Sequence, residues 1–133
     1  MKYLLDTNVL SDFVRGEHSV RERIKRQSPS ALAISVVTEL EVEYGLARAP
    51  QLRKHVAAAM RALINATTVV PFEREDARVA APLRASLAAS GISIGAYDLL
   101  LAASALRRDL VLVTHNVREF ARVGGLGLED WRT

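Results

Sequence analysis

Four short apolar runs, with stretches of helical periodicity between them, constrain this chain more than anything else in it. Tyr3-Leu4-Leu5, Ala31–Ile34, Thr67–Pro71 and Leu110–Val113 are each too short for a helix and suit buried strands. None is joined to the next by a hairpin turn. Strands that alternate with helices pair in parallel, and a parallel sheet is covered by helices on both faces. The expectation is an α/β fold, a three-layer α/β/α domain around a central parallel sheet of four to five strands. The fifth is an edge strand within GGLGLEDW near residue 131. Residues 1–133 are of single-domain length and can bury a core without staples.

Between the strands the pattern predicts helices at Val9–Arg15, closed by Gly16, and at Ser19–Gln27. Ser35 caps a third that ends near Arg48 to Pro50, and Gln51–Ala66 follows with an apolar stripe at Val56, Met60, Leu63 and Ile64. Glu75–Ser90, Tyr97–Leu106 and Val117–Val123 complete the set, with Pro82 expected to kink its helix or break it near Ala81. The alternating charges of RERIKR (Arg21–Arg26) around a single Ile24 read first as a solvated helix face, with a phosphate-facing patch as the alternative.

Composition narrows the function classes. The absence of cysteine excludes a disulfide framework and thiolate metal sites. Asp6 interrupts the N-terminal apolar run, and no run approaches the ~18 residues of a membrane helix, so a soluble, cytoplasmic protein is expected. Eighteen Lys and Arg against fifteen Asp and Glu give a net charge of +3, compatible with a polyanionic partner. Aromatics at 5% argue against a base-stacking sheet platform.

Parallel strands place their carboxyl ends on one edge, where ligands bind in α/β sheets. Asp6 follows the first strand and Asn116 the last long one. Ser35 follows the second and starts a helix carrying Glu39, Glu41 and Glu43. Asp98 lies in the first turn of the most apolar helix. Asp6 or Asn8 also reads as a plain helix cap, and Asp98 as a first-turn acid favoured by the helix dipole. Yet Leu99, Leu100 and Leu101 mark that helix as buried, and a buried carboxylate needs a partner, hydrogen bonds or a metal. Oxygen ligands converging without His or Cys suit Mg²⁺, or Mn²⁺ in its place, and such ions serve phosphate chemistry.

Four segments resemble one family in order. LLDTNVLSD, ISVVTELEVEYG (Ile34–Gly45), GISIGAYDLLLAASA (Gly91–Ala105) and VTHNVREF followed by GLGLEDW resemble PIN-domain ribonucleases, specifically the VapC-type toxins of VapBC toxin–antitoxin pairs. The resemblance implies a Mg²⁺-dependent endoribonuclease with Asp6, Glu41 and Asp98 as metal ligands. Its Ser-x-x-Thr-x-x-Glu-x-x-x-Gly register selects Glu41 over Glu39 and Glu43. Many relatives carry Asp where Asn116 stands, and Glu119, one turn on, supplies the missing charge in the Asn-x-x-Glu version. Thr7, Asn8, Ser11, Thr38 and Thr114 are the groups expected to hold the carboxylates, and His115 is expected to be a solvated loop residue. The family implies a structured RNA substrate, a tRNA or the initiator tRNA anticodon stem-loop, with 5′-phosphate and 3′-hydroxyl products that stop translation. It also implies a cognate VapB-like antitoxin, a homodimer and a higher toxin–antitoxin assembly. Two other readings stay open: a haloacid-dehalogenase-like phosphotransferase using Asp6 as nucleophile, against which Asn8 speaks, and an inactive RNA- or partner-binding module.

Overall fold

The structure, a computed structural model, describes residues 1–50 and 54–133. Its strands are β1 (Tyr3–Leu5), β2 (Leu32–Ser35), β3 (Thr68–Val70), β4 (Val111–Val113) and β5 (Leu128–Glu129). They form one parallel sheet in the order β3-β2-β1-β4-β5, with Tyr3 opposite both Leu32 and Val111. The chain winds outward from β1 to β3, then returns to the other side of β1 for β4 and β5. The carboxyl ends of β1 and β4 therefore flank the topological switch point, the crevice where open α/β sheets bind ligands.

The helices among the described residues are α1 (Thr7–Arg15), α2 (His18–Arg26), α3 (Val36–Arg48), α4 (Lys54–Asn65), α5 (Arg74–Ala89), α6 (Ala96–Arg108) and α7 (Val117–Phe120). A 3-10 turn at Pro29–Ala31 leads into β2. The alternation of β1 divides the core between the layers. Tyr3 and Leu5 join Val9, Leu10, Val20, Ile24, Leu63 and Ile64 on the side of α1, α2 and α4. Leu4 faces the other way, against Leu101, Ala102 and Ala105 of α6 and Phe120. Alternate residues of a strand point to opposite faces, so this short central strand is buried on both.

The helix ends follow their local chemistry. Gly16 ends α1 in the left-handed region at φ 86°, its N–H meeting the carbonyls of Asp12 and Phe13. Ser35 Oγ caps α3 by accepting from the Val37 N–H at 3.0 Å. Two expectations are corrected. Helix α5 runs unbroken through Pro82, so there is no break near Ala81. Pro82 and Arg78 are both exposed, which lets water satisfy the Arg78 carbonyl that a proline cannot bond. The last helix stops at Phe120, after which Val123 turns inward and is buried. Positions 51–53 of the helix expected from Gln51 lie outside the described residues.

Two buried carboxylates that the sequence reading left without a role fasten the layers. Asp76, fully buried on α5, receives Arg107 Nε at 2.6 Å and Arg108 Nη1 at 2.7 Å from α6. Asp12 on α1 receives a two-pronged grip from Arg132, Nε to Oδ2 at 2.7 Å and Nη2 to Oδ1 at 2.9 Å. Beside that grip Trp131 is 1% exposed and meets Tyr3 edge-to-face at 5.0 Å. On α2, Arg21, Glu22, Lys25 and Arg26 are exposed while Val20 and Ile24 are buried. Arg23 is the exception to that solvated face: half-buried, it stacks on Trp131 at 5.7 Å.

Candidate active site

Asp6 terminates β1 and caps α1 in one stroke. Its backbone N–H bonds to the Val113 carbonyl at 2.9 Å, which fixes it beside β4. Oδ1 accepts from the Thr7 N–H at 2.7 Å. Oδ2 accepts from Thr114 Oγ1 at 2.8 Å and, more weakly, from Asn8 Nδ2 at 3.4 Å. The carboxylate is 5% exposed. Burial pushes its pKa up, against the opposing pull of the hydrogen bonds from Thr114, Thr7 and Asn8.

Glu41 reaches the same place from the second turn of α3, where Thr7 Oγ1 donates to its Oε1 at 3.0 Å. Desolvation raises its pKa, the Thr7 bond lowers it, and the Asp6 charge raises it again. The other two glutamates do not come here. Glu43 is taken up by Arg61 of α4 at 2.6 and 3.0 Å, and Glu39 forms no hydrogen bond or ion pair among those of the described residues. Asp98 enters from the first turn of α6, behind Gly95. A Cβ on Gly95 would stand 3.4 Å from Asp98 Oδ2, so a glycine leaves room for the carboxylate to fold against its own helix terminus. Burial first, then the charges of Asp6, Glu41 and Glu119, push Asp98 up to about 6. Four carboxylates from four segments thus share one electrostatic environment at the switch point.

The expected supporting groups divide. Thr7, Asn8 and Thr114 hold the acids directly, and Asn8 also bonds Thr114 and the His115 N–H, tying α1 to the loop after β4. Thr38 and Ser11 depart from expectation. The Thr38 hydroxyl is buried without a hydrogen-bond partner among the described residues, because Thr38 faces the core while Glu41 projects sideways from α3. Ser11, more than a turn past the cap, lines a cleft between α1 and α4 with Val56 and Met60. Asn116 caps α7 without a side-chain bond and is exposed. Glu119 acts on Asp98 through its charge but is gripped by Arg122, one turn along. His115 is exposed, yet its ring contacts Asp130.

The donor set fits a hard divalent cation: carboxylate oxygens only, net negative, with a repulsion at Asp98 that a cation would relieve. As they stand, no three Asp, Glu, His or Cys side chains among the described residues close into a chelating cage.

Comparison with known proteins identifies the family. The PIN domain family model matches residues 3–126. A Shigella flexneri protein named tRNA(fMet)-specific endonuclease VapC is 36% identical over 132 residues, 98% of each chain. Ribonuclease VapC2 of Haemophilus influenzae is 29% identical over 98% of each. Among solved structures, DNA-bound VapBC from Salmonella typhimurium superposes with a TM-score of 0.88 at 34% identity, covering 98% of each chain. VapBC2 from Rickettsia felis, bound to a promoter DNA fragment, gives 0.89 at 26% identity over 98% and 99%. These matches set aside the dehalogenase-like reading of Asp6 as a nucleophile. The chain belongs to the PIN-domain family and, within it, to the VapC-type ribonucleases.

Proposed function

We propose that this chain is a metal-dependent endoribonuclease toxin that cuts a structured RNA, a tRNA in the first instance, and thereby halts translation. The names of its Shigella and Salmonella relatives point to initiator tRNA. The observation that carries the reading is the convergence on Asp98, whose carboxyl is driven to about 6 by burial and by Asp6, Glu41 and Glu119 together. Such a set is unstable in isolation and matched to a cation and a phosphodiester.

Asp6, Glu41 and Asp98 would hold Mg²⁺ or Mn²⁺. Bound there, the ion would polarise a phosphate oxygen and make a water nucleophilic at neutral pH. The chain's own residues supply geometry. Thr7 holds Glu41 and Thr114 holds Asp6 at the sheet edge, which limits the directions from which these carboxylates would reach a cation. Asn8 holds the loop after β4 against α1, which fixes where Asn116 can approach the substrate. Exposed Arg118, on α7 two residues after Asn116, would offer a guanidinium to a phosphate of the substrate. The products are a 5′-phosphate and a 3′-hydroxyl.

The toxin works in the cytoplasm under the control of a VapB-like antitoxin, which places a basic side chain among the acids. No described helix is long and apolar enough to cross a membrane. Val36, Leu40 and Tyr44 form an exposed stripe on α3 at i, i+4 and i+8, which supports burial against protein, as a homodimer and its antitoxin assembly require. The Salmonella and Rickettsia relatives were captured as VapBC complexes bound to DNA, so by likeness this chain would come close to DNA when it is in complex with its antitoxin.

The test is brief expression followed by mapping of new 5′-phosphate ends in total RNA, with Asp6→Ala as control. A defined tRNA cut that disappears with Asp6→Ala and with chelator is expected. No Asp6-dependent cut in any RNA overturns the reading.

A further inference from the structure

The ring of His115 is held in a way that a loop histidine does not require. Its backbone N–H donates to Asn8 Oδ1 at 3.1 Å, and the same Asn8 amide touches Asp6 and Thr114. His115 thus stands at the rim of the acid pocket, one hydrogen bond from the residue that orders it. Its Nδ1 lies 3.1 Å from Asp130 Oδ2, while 46% of the side chain faces solvent. Asp130, just past β5, is itself fixed: its other oxygen, Oδ1, accepts from the Arg132 N–H at 3.0 Å.

An ionised carboxylate can only accept, so the hydrogen between the two residues belongs to Nδ1. The neutral ring is then left with a bare acceptor, Nε2, on a half-exposed side chain whose backbone is bonded to Asn8 beside the acids. Most of what an RNA backbone offers cannot use an acceptor, because phosphate and ring oxygens accept as well. The ribose 2′-hydroxyl is the backbone's one donor, and DNA lacks it.

We propose that His115 Nε2 accepts a hydrogen bond from the 2′-hydroxyl of a nucleotide beside the scissile phosphate, and that this contact discriminates RNA from DNA. Asp130 is a positioning residue that sets the tautomer. The inference rests on the endoribonuclease reading above and adds the group by which substrate is told from the DNA nearby.

The carboxylate geometry supplies an unusual control. In Asp130→Asn the amide oxygen is retained by the Arg132 N–H, which needs an acceptor, and the amide nitrogen falls opposite His115 Nδ1. A donor there moves the ring hydrogen to Nε2 and turns the acceptor into a donor without removing the imidazole. His115→Phe removes the acceptor altogether.

The experiment uses the full chain and the RNA it is found to cut, as oligonucleotides with a single 2′-deoxy or 2′-fluoro nucleotide at each position flanking the cut. Cleavage rates are taken at pH 8, and both variants are checked by thermal melting. The 2′-fluoro sugar keeps the RNA-like pucker but cannot donate. At one position wild type should lose about five- to tenfold in kcat/KM with either substitution, the worth of one hydrogen bond. Asp130→Asn and His115→Phe should cut all-ribose RNA more slowly and show a ratio near one at that position. A wild type indifferent to 2′-fluoro at every position overturns the proposal, and so do variants that keep the wild-type ratio. Absence of any RNA cleavage by wild type overturns the underlying function instead.

Discussion

Thr7 donates its hydroxyl to Glu41 Oε1 at 3.0 Å across a separation of 34 residues. The same residue's N–H reaches Asp6 Oδ1 at 2.7 Å. One threonine, the first residue of α1, therefore holds two acids that arrive on different elements. It also distinguishes Glu41 from two close neighbours on α3.

That distinction is measurable. Glu41→Gln should lower RNA cleavage by about 100-fold or more, the scale on which charged groups acting in a transition state are felt. Glu39→Gln and Glu43→Gln should stay within a few-fold of wild type, since Glu43 is engaged with Arg61 instead. Equal losses in all three, measured as kcat/KM on one RNA, would place the acid site elsewhere on α3.

The repulsion at Asp98 predicts a reversal with metal. In chelator at pH 8, Asp98→Asn should melt several degrees above wild type, because it removes a charge crowded by burial, Asp6, Glu41 and Glu119. Adding Mn²⁺ should raise the wild-type melting temperature by mass action, by about 2.7 kcal/mol of stability at 100 times Kd, and should leave the variant unmoved. A variant that gains as much from Mn²⁺ as wild type would remove Asp98 from the ligand set.

Acid should act mainly through Asp76 and Asp12. Burial alone would raise Asp76, but hydrogen bonds from Arg108, the Glu73 N–H and Arg107 outweigh it, so the carboxyl sits below its ordinary value. A carboxylate depressed in the folded state stabilises fully above the unfolded range near 4 and ceases to do so as pH falls through it. Asp76→Asn should cost about 3 kcal/mol at pH 7, roughly 10 °C in melting temperature, by removing the buried charge that Arg107 and Arg108 share. The gap to wild type should narrow between about pH 5 and pH 3. A gap independent of pH, followed by calorimetry, would mean that packing and not charge is lost.

The exposed charges of α2 make a negative prediction. Lys25→Glu and Arg26→Glu should leave the salt dependence of RNA binding unchanged if their only partner is water. A shallower slope of log K against log salt would bring this helix into the RNA footprint.

Much of the fold was legible because the strands are so short and so apolar. A run such as Leu110–Val113 suits a strand buried on both faces, and four such runs without hairpins point to a parallel sheet. Asp6 and Asp98 were legible for a related reason, being carboxylates at the ends of segments too apolar to tolerate them unpartnered. The choice of Glu41 came from motif spacing, since helical periodicity alone placed Glu41 and Glu43 alike at the edge of the apolar face. What resisted reading depends on long-range pairing. Nothing in the run of residues announces that Arg132 will reach back to Asp12, or that Arg107 and Arg108 will meet Asp76. Thr38 and Ser11 fit the motif by spacing, yet their side chains point to the core and to the α1–α4 cleft.

The central strand comes first in the chain, but its neighbour β4 comes near the end, and the Thr114–Asp6 bond spans 108 residues. Asp6 is made long before β4, and its pocket does not exist until β4 has paired with β1 and brought Val113 and Thr114 beside it. A nascent or truncated chain therefore carries the acids without the nuclease. In this order of assembly the acid site is completed only when β4 has joined the sheet beside β1.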